Sequence, residues 1–436
     1  MSIAAAAWVT AFGLGLLASF REPYYALLAY LLDYYQHPPL RWWGVDLPAL
    51  SWTQIAAGAL LLAFLVRRRN LFGREILGHP QTRWLLAFLA VAALVTPFAV
   101  SLGRSVHYLG DLAKLTLLYG LIIGTVRTRR QFHGFLMVMI LGAAVWGIAS
   151  YFDPIRQDGR LIRVGGPDSF NDNSAAAHLL PTLPLLALGV WSGGWWRRII
   201  CIVAAPFIVN TIMLCNSRGA TIAVAVSFLA ATVLARGRLR LAAIGMVIAG
   251  IVLGAALADR RFLARQMTTL DYEEDGSAMG RIESWKGALR LIGEHPFGVG
   301  GGGFDVLSPI YIPAVVEAHG GEERAAHNTY LWVGSDWGIL GLLCFTLFIG
   351  STLLELHRIR GGTRDRRVYL ESLALEIGLI GFLVAAFFIN RPYAQILYWL
   401  PALTASLRNQ QLAEQAVPAP EVLPAPARLP LPSPSA

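Results

Sequence analysis

Apolar stretches of about 17 to 22 residues recur along the chain, and no other feature restricts its fold so strongly. A helix of that length crosses a hydrocarbon core about 30 Å thick. The bilayer offers a backbone no hydrogen-bond partners, so such runs must be helical. They lie near 3–20, 22–36, 50–66, 84–101, 107–125, 132–151, 174–191, 198–215, 219–235, 241–257, 328–355, 372–389 and 392–406. Only Arg21-Glu22-Pro23 separates the first two, which form either a hairpin or one broken element. The expected fold is therefore an all-α polytopic bundle of about 12 transmembrane helices with one large outer-face loop. Composition agrees, with 56% hydrophobic and 14% charged residues against about 25% charged in soluble domains.

A net charge of +9 would suit a nucleic-acid binder, but its distribution argues otherwise. The basic residues, nearly all Arg, sit in short clusters between apolar runs, as cytoplasmic loops require. Arg67, Arg68, Arg69, Arg74 and Arg83 place one loop inside. Strict alternation then brings Arg127/Arg129/Arg130, Arg197/Arg198, Arg236/Arg238/Arg240 and Arg358–Arg367 to the same side. The opposite side holds a loop at 152–173 with Arg156, Arg160 and Arg163, a tight turn at Asn216-Ser217-Arg218, and the longest extramembrane segment, about 258–326. Residues 1–410 read as one transmembrane domain that includes this loop, and 411–436 as a disordered Pro/Ala-rich tail. The first twenty residues lack a basic leader region and read as a retained helix. Cys201, Cys215 and Cys344 lie in or beside apolar runs with no zinc or redox spacing, as small core residues do.

Chemistry-bearing residues gather on the side away from the arginine clusters. His327 stands where the long loop meets an apolar helix, so it is partly desolvated, which favours the neutral imidazole a general base needs. The alternative is a helix-start hydrogen bonder. Asn328 beside it either meets substrate or caps the helix. Gly334, Gly338 and Gly341 suit close helix packing. Arg218 breaks the positive-inside pattern at an outer helix start, where unpaired N–H groups already favour anions. Arg281, within GRIESW, offers a phosphate-binding fork unless Glu283 occupies it. Arg391 is a further outward charge, and Asp111 and Lys114 form an i, i+3 pair inside an apolar run. The DYEED stretch at 271–275 has no spacing that fixes a metal-ligand set. The glycines at 300–303 lack the Lys-Ser/Thr of a phosphate loop and read as a flexible turn.

These residues resemble the O-antigen ligase and polymerase family of bacterial envelope polysaccharide enzymes. The likeness is sharpest between about 271 and 342. It rests on His327 and Asn328 followed by Gly338-x-x-Gly341, on Ser217-Arg218, on Gly280-Arg281 ahead of Trp285, and on HPFGVGGGGF. DYEEDGSAMGRIESW and REPYYALLAYLLDYY are similar to the branch called O-glycosylation ligases. The resemblance implies an inverting, metal-independent glycosyl transfer without a cofactor, at the periplasmic face of the bacterial inner membrane. The glycan would pass from undecaprenyl diphosphate to an acceptor hydroxyl, most readily on lipid A-core. It further implies His327, Arg218 and Arg281 as catalytic; Asn328, Arg391, Lys114 and Arg163 are the candidate substrate contacts read from the residues, with helix capping, an ion pair or solvated charge as the alternatives. A polymerase or a protein O-oligosaccharyltransferase would share these motifs. A lipid-linked glycan transporter or flippase is the rival from another class; it would show internal repeats and discontinuous helices around a midplane site.

Overall fold

The computed structural model describes residues 1–67, 69–157, 160–257 and 276–416. Among these the apolar runs do become helices. In chain order they are α1 (Ile3–Ser19), α2 (Tyr24–Gln36), α3 (Trp52–Val66), α4 (Arg74–Leu77), α5 (Pro80–Val95), α6 (Leu102–Thr125), α7 (Arg129–Phe152), α8 (Asp172–Leu179) and α9 (Thr182–Ser192). There follow α10 (Trp195–Leu214), α11 (Arg218–Leu234), α12 (Arg238–Leu257), α13 (Gly276–Glu294), α14 (Gly303–Tyr311), α15 (Pro313–Glu317), α16 (Thr329–Gly362), α17 (Arg366–Ala386) and α18 (Gln395–Ala416). A two-residue hairpin, Arg156–Gln157 with Arg160–Leu161, interrupts the α7–α8 loop. The DYEED stretch and residues 417–436 of the expected tail lie outside the described residues; 411–416 continue the helix α18.

Among the described residues, seven helical segments are long and apolar enough to cross a membrane: 80–98, 102–125, 129–152, 172–192, 195–214, 329–362 and 366–386. Three further apolar helices, α1, α3 and α11, are shorter. This is a multi-pass all-α bundle, and the expected number of about twelve crossings is not reached by these qualifying helices. Helix length accounts for three of the missing crossings: α1, α3 and α11 run for 17, 15 and 17 residues, at or under the lower limit for a 30 Å core.

Helix starts are set by local chemistry. A capping box between Thr128 and Gln131 opens α7, and the side chains of Asn171, Ser217 and Asp365 cap α8, α11 and α17. Direction then sorts the molecule into two ends. The basic clusters meet at one of them. There Arg69 donates to the Gly124 carbonyl at the foot of α6, Arg127 pairs with Glu75, Arg129 with Asp365 and Glu414, and buried Arg360 with Glu376 and the last carbonyl of α11. The other end holds the α7–α8 loop, the Asn216 corner before α11, the segment 276–328, and the turn after α17. The charge pattern of the sequence is thus a real polarity of the folded bundle.

The segment 276–326 forms a small layer with its own apolar core, in which Ala288, Leu291, Phe304, Ile312 and Trp332 are buried together. Its glycine run is no flexible turn. Gly298, Gly300 and Gly302 take positive φ, and the strand through them lies against a break in α16. At that break Gly338 (φ 73°, ψ 179°) leaves the helical conformation altogether. Val299 and Gly300 donate to the carbonyls of Ser335 and Asp336, and Ile339 donates to Pro296. The glycine strand therefore takes up backbone groups that the helix interruption frees. A Cβ on Gly298 would stand 2.5 Å from the Gly338 nitrogen, so the two glycines make one close crossing. Gly341 and Gly334 fit the expected role in helix packing, Gly341 resting toward Phe88 and Val91 of α5 and Gly334 against Ile292 of α13.

Candidate active site

One turn, residues 387–391 after α17, touches residues next to each of the three expected to be catalytic. Phe388 closes on the first turn of α11, where a Cβ on Gly219 would approach it to 2.9 Å. That fixes the start of the helix headed by Arg218. Trp285, one turn beyond Arg281 on α13, sets its ring edge-on to Phe387 at 5.2 Å and near Phe388 at 6.4 Å. Glu283, the rival partner for Arg281, turns instead to Lys286 at 2.7 Å. On the third side, Asn390 Oδ1 accepts the Asn328 N–H at 2.9 Å. Thr329 Oγ1 donates to the Ile389 carbonyl and accepts the Arg391 N–H.

His327 sits in the left-handed region at φ 52°, a strained place for a residue with a side chain. The strain is held by the bonds that Asn328 and Thr329 make just after it. The half-buried imidazole has no hydrogen-bond partner among the described residues. Its pKa is pushed down to about 4, first by burial and then by the positive charges of Arg281 and Arg324, with His319 adding to them. The ring is therefore neutral at pH 7, with a nitrogen lone pair to offer. That Arg281 acts on His327 electrostatically places the two within one neighbourhood.

Asn328 is 1% exposed, and its carboxamide oxygen accepts from both Tyr330 and Leu331 N–H. It caps α16 and fixes the backbone of His327, so its side-chain oxygen is committed to the helix and not to substrate. Arg391 is likewise buried. Its guanidinium donates to the Asp168 carbonyl, to Asp168 Oδ1 at 3.3 Å and to Ser169 Oγ at 3.2 Å. Burial works to raise the Asp168 carboxyl, yet Arg391, with His178, the Tyr34 hydroxyl and the Gln395 N–H, holds its pKa below the ordinary value. This network straps the 165–171 loop to the start of α18. Arg163 is exposed on that same loop, with φ 59° and its N–H on the Phe170 carbonyl, whereas Arg160 is taken up by Asp172. Lys114 is not drawn into the cluster. It is 74% exposed on the flank of α6 and pairs with Asp111 at 3.0 Å.

Two carboxyls escaped the sequence reading. Asp336, in the middle of an apolar run, is buried and accepts from the Gly302 and Phe304 N–H groups at 2.7 and 3.1 Å, fastening the glycine strand to α16. A lone Asp within LWVGSDWGILG was the available signal. Asp305, on the next helix, faces Trp332 and Arg104. Burial is the main cause that pushes its pKa up to about 7, and Glu323 adds to it. Nothing local in the sequence marks it, because its neighbours come from 200 residues upstream and from the loop end.

No curated protein matches the chain in a sequence search. Residues 202–346 match the family described as O-Antigen ligase. The matched segment contains Arg218, Arg281, His327, Asn328, Gly338 and Gly341, and it excludes Lys114, Arg163 and Arg391. Over residues 202–346, which hold Arg218, Arg281 and His327, the chain is similar to the O-antigen ligase family.

Proposed function

We propose that this multi-pass glycosyltransferase moves a glycan from undecaprenyl diphosphate to an acceptor hydroxyl, with lipid A-core as the acceptor, in one inverting step without a metal. The observation that carries the reading is the neutral, strained His327 in the electrostatic reach of Arg281, with the 387–391 turn touching residues beside both and the start of the Arg218 helix. The reaction needs opposite things at its two ends. His327 takes the proton of the acceptor hydroxyl as its oxygen bonds to the anomeric carbon. The bond from that carbon to the phosphate oxygen breaks, and its electron pair leaves with the diphosphate. Arg218 and Arg281 stabilise the charge that develops there.

The reaction end lies opposite the arginine clusters, which supports a periplasmic site in the inner membrane if those clusters face the cytoplasm. Arg163, exposed at this end, suits a phosphorylated acceptor core. Arg391 acts on the site by holding its walls, and Lys114 has no part in it. A discontinuous helix would also suit a transporter, but the backbone groups freed at Gly338 are bonded to the 296–300 segment.

The test supplies purified protein with an undecaprenyl diphosphate-linked glycan, lipid A-core and a candidate acceptor protein in separate reactions. Wild-type transfer to lipid A-core that disappears in a folded His327→Gln protein is expected. Longer carrier-linked chains with no transfer would make it a polymerase, and transfer only to protein an O-oligosaccharyltransferase. Absence of any transfer would overturn the enzymatic reading in favour of transport.

A further inference from the structure

A cavity of about 440 Å³ opens at the end of the bundle away from His327, where α7, α10 and α17 all begin. Its walls are His133, Trp195, Trp196, Arg197, Arg367 and Glu371. Each of the three helices runs from this cavity to the reaction end. The 20 residues of α10 alone separate it from the Arg218 corner by about 30 Å. It is therefore no part of the glycan-transfer site.

Its chemistry is that of an anion site with an apolar rim. Glu371 is 2% exposed and gives its carboxylate to His133 at 2.6 Å. The one buried negative charge is thus already occupied. Arg197 and Arg367 make no ion pair among the described residues, while neighbouring Arg198 is turned back to the Gly193 carbonyl that ends α9. Helix α10 starts on Gly194, which has no side chain to cap its first N–H groups, so these too face outward unsatisfied by a cap. Beside them the Trp195 and Trp196 rings stack at 3.6 Å and stand exposed. Exposed indoles of a membrane protein sit at the headgroup level, where an apolar ring meets acyl chain and its N–H meets water.

We infer that this cavity binds the headgroup of an anionic phospholipid, with Arg197 and Arg367 on the phosphate and the Trp195–Trp196 pair against the glycerol and upper acyl chain. A bare phosphate would leave most of the volume empty, since the cavity falls in the range of roughly 300–1,000 Å³ typical of whole small-molecule sites. Basic pockets between transmembrane helices are suited to such headgroups. The reading does not depend on which transfer the other end performs.

Native mass spectrometry of the full-length protein released from detergent tests it, with phosphatidylglycerol, phosphatidylcholine and inorganic phosphate titrated separately. Wild type is expected to retain phosphatidylglycerol about tenfold more tightly than phosphatidylcholine. The Arg197→Gln/Arg367→Gln protein is expected to lose about tenfold of that affinity. Equal retention of the two lipids by wild type overturns the proposal without any variant. So does undiminished phosphatidylglycerol binding by the double variant, and so does inorganic phosphate binding as tightly as the lipid, which would make the cavity a simple ion site.

Discussion

Replacing His327 with Gln should change how stability depends on pH in a way that transfer activity cannot mimic. The folded imidazole titrates at about 4 and an unfolded one at 6.5, so between those values the unfolded chain binds the proton that the folded protein refuses. The contribution is full above pH 6.5, falls as the solution is acidified, and is lost below about pH 4. By pH 5 the loss is about 2 kcal/mol. Asp305 works the other way. Its folded pKa of about 7 lies above the ordinary 3.8, so its contribution is full below pH 3.8 and is lost as pH rises through 7. Between pH 5 and 8 that loss is about 2.5 kcal/mol. The two slopes nearly cancel in the wild type. His327→Gln should leave the Asp305 slope exposed, giving a protein that becomes less stable from pH 5 to 8 relative to wild type. Asp305→Asn should do the reverse. Thermal unfolding in detergent, followed by tryptophan emission across that range, reads both. If the two variants shift the transition in parallel at every pH, then neither group titrates as its burial and neighbours require.

Other expectations follow from single contacts. Asn328→Ala should cost about 1 kcal/mol through the lost cap, and it should lower kcat far more than it lowers the melting temperature, because the cap also holds the left-handed backbone of His327; equal melting and unchanged turnover would remove that role. Gly338→Ala should prevent accumulation of folded protein, since its Cβ would meet the Phe297 carbonyl carbon at 2.4 Å in a conformation that costs about 1–3 kcal/mol besides; membrane expression with a fluorescent reporter measures it. Arg391→Ala should cost about 1–3 kcal/mol by removing the cation that faces the partly buried Asp168 carboxylate, which keeps its bonds from Tyr34, Ser169 and Gln395. Adding Asp168→Asn should recover part of that loss in the same melting assay, and a double variant no better than Arg391→Ala would argue against the pair.

Hydropathy made the bundle legible because a span is a local property: each run of about twenty apolar residues satisfies its own backbone whatever surrounds it. Charge made its two ends legible for a similar reason, since each arginine cluster lies beside the helices it orients. The same logic picked out Arg218, Arg281 and His327 as candidates, each conspicuous for a polar side chain at the edge of an apolar run. It failed where a residue's role depends on a partner far away in sequence. Arg391 looked like an outward-facing charge because Asp168, its partner, lies 223 residues upstream. Gly338 looked helical because its neighbours are helical, and only the arrival of the 296–300 strand shows why the helix must open there. Lys114 was singled out because charge in an apolar run is costly, but an exposed pair with Asp111 meets that cost without any substrate.

If His327 is the base we propose, the break at Gly338 also accounts for how a membrane helix holds it at a defined angle. An uninterrupted α16 would tie the direction of its first turns, and so of His327, to the axis of the spanning part beyond. Opening the helix at Gly338 frees the nine residues 329–337 to take their direction from the loop layer. Opening it without support would leave carbonyls and N–H groups unpaired in a buried place, at a cost that would let the segment sample many orientations. The glycine strand removes that freedom. Ser335, Asp336 and Ile339 all bond to it, and the Asp336 carboxylate grips it a second time through Gly302 and Phe304. Only glycine admits the backbone crossing at 298 and 338. The base is therefore aimed by the loop core and anchored by the turn at 387–391, while the long remainder of α16 is left to pack against α5. On this account Asp336→Asn should act through orientation. It should lower kcat while leaving the affinity for the lipid-linked donor within about twofold, because Arg218 and Arg281 are held by Phe388 and Trp285 instead. A loss of donor affinity equal to the loss of turnover would mean that the break positions the arginines as well, and that the two halves of the site are not independently built.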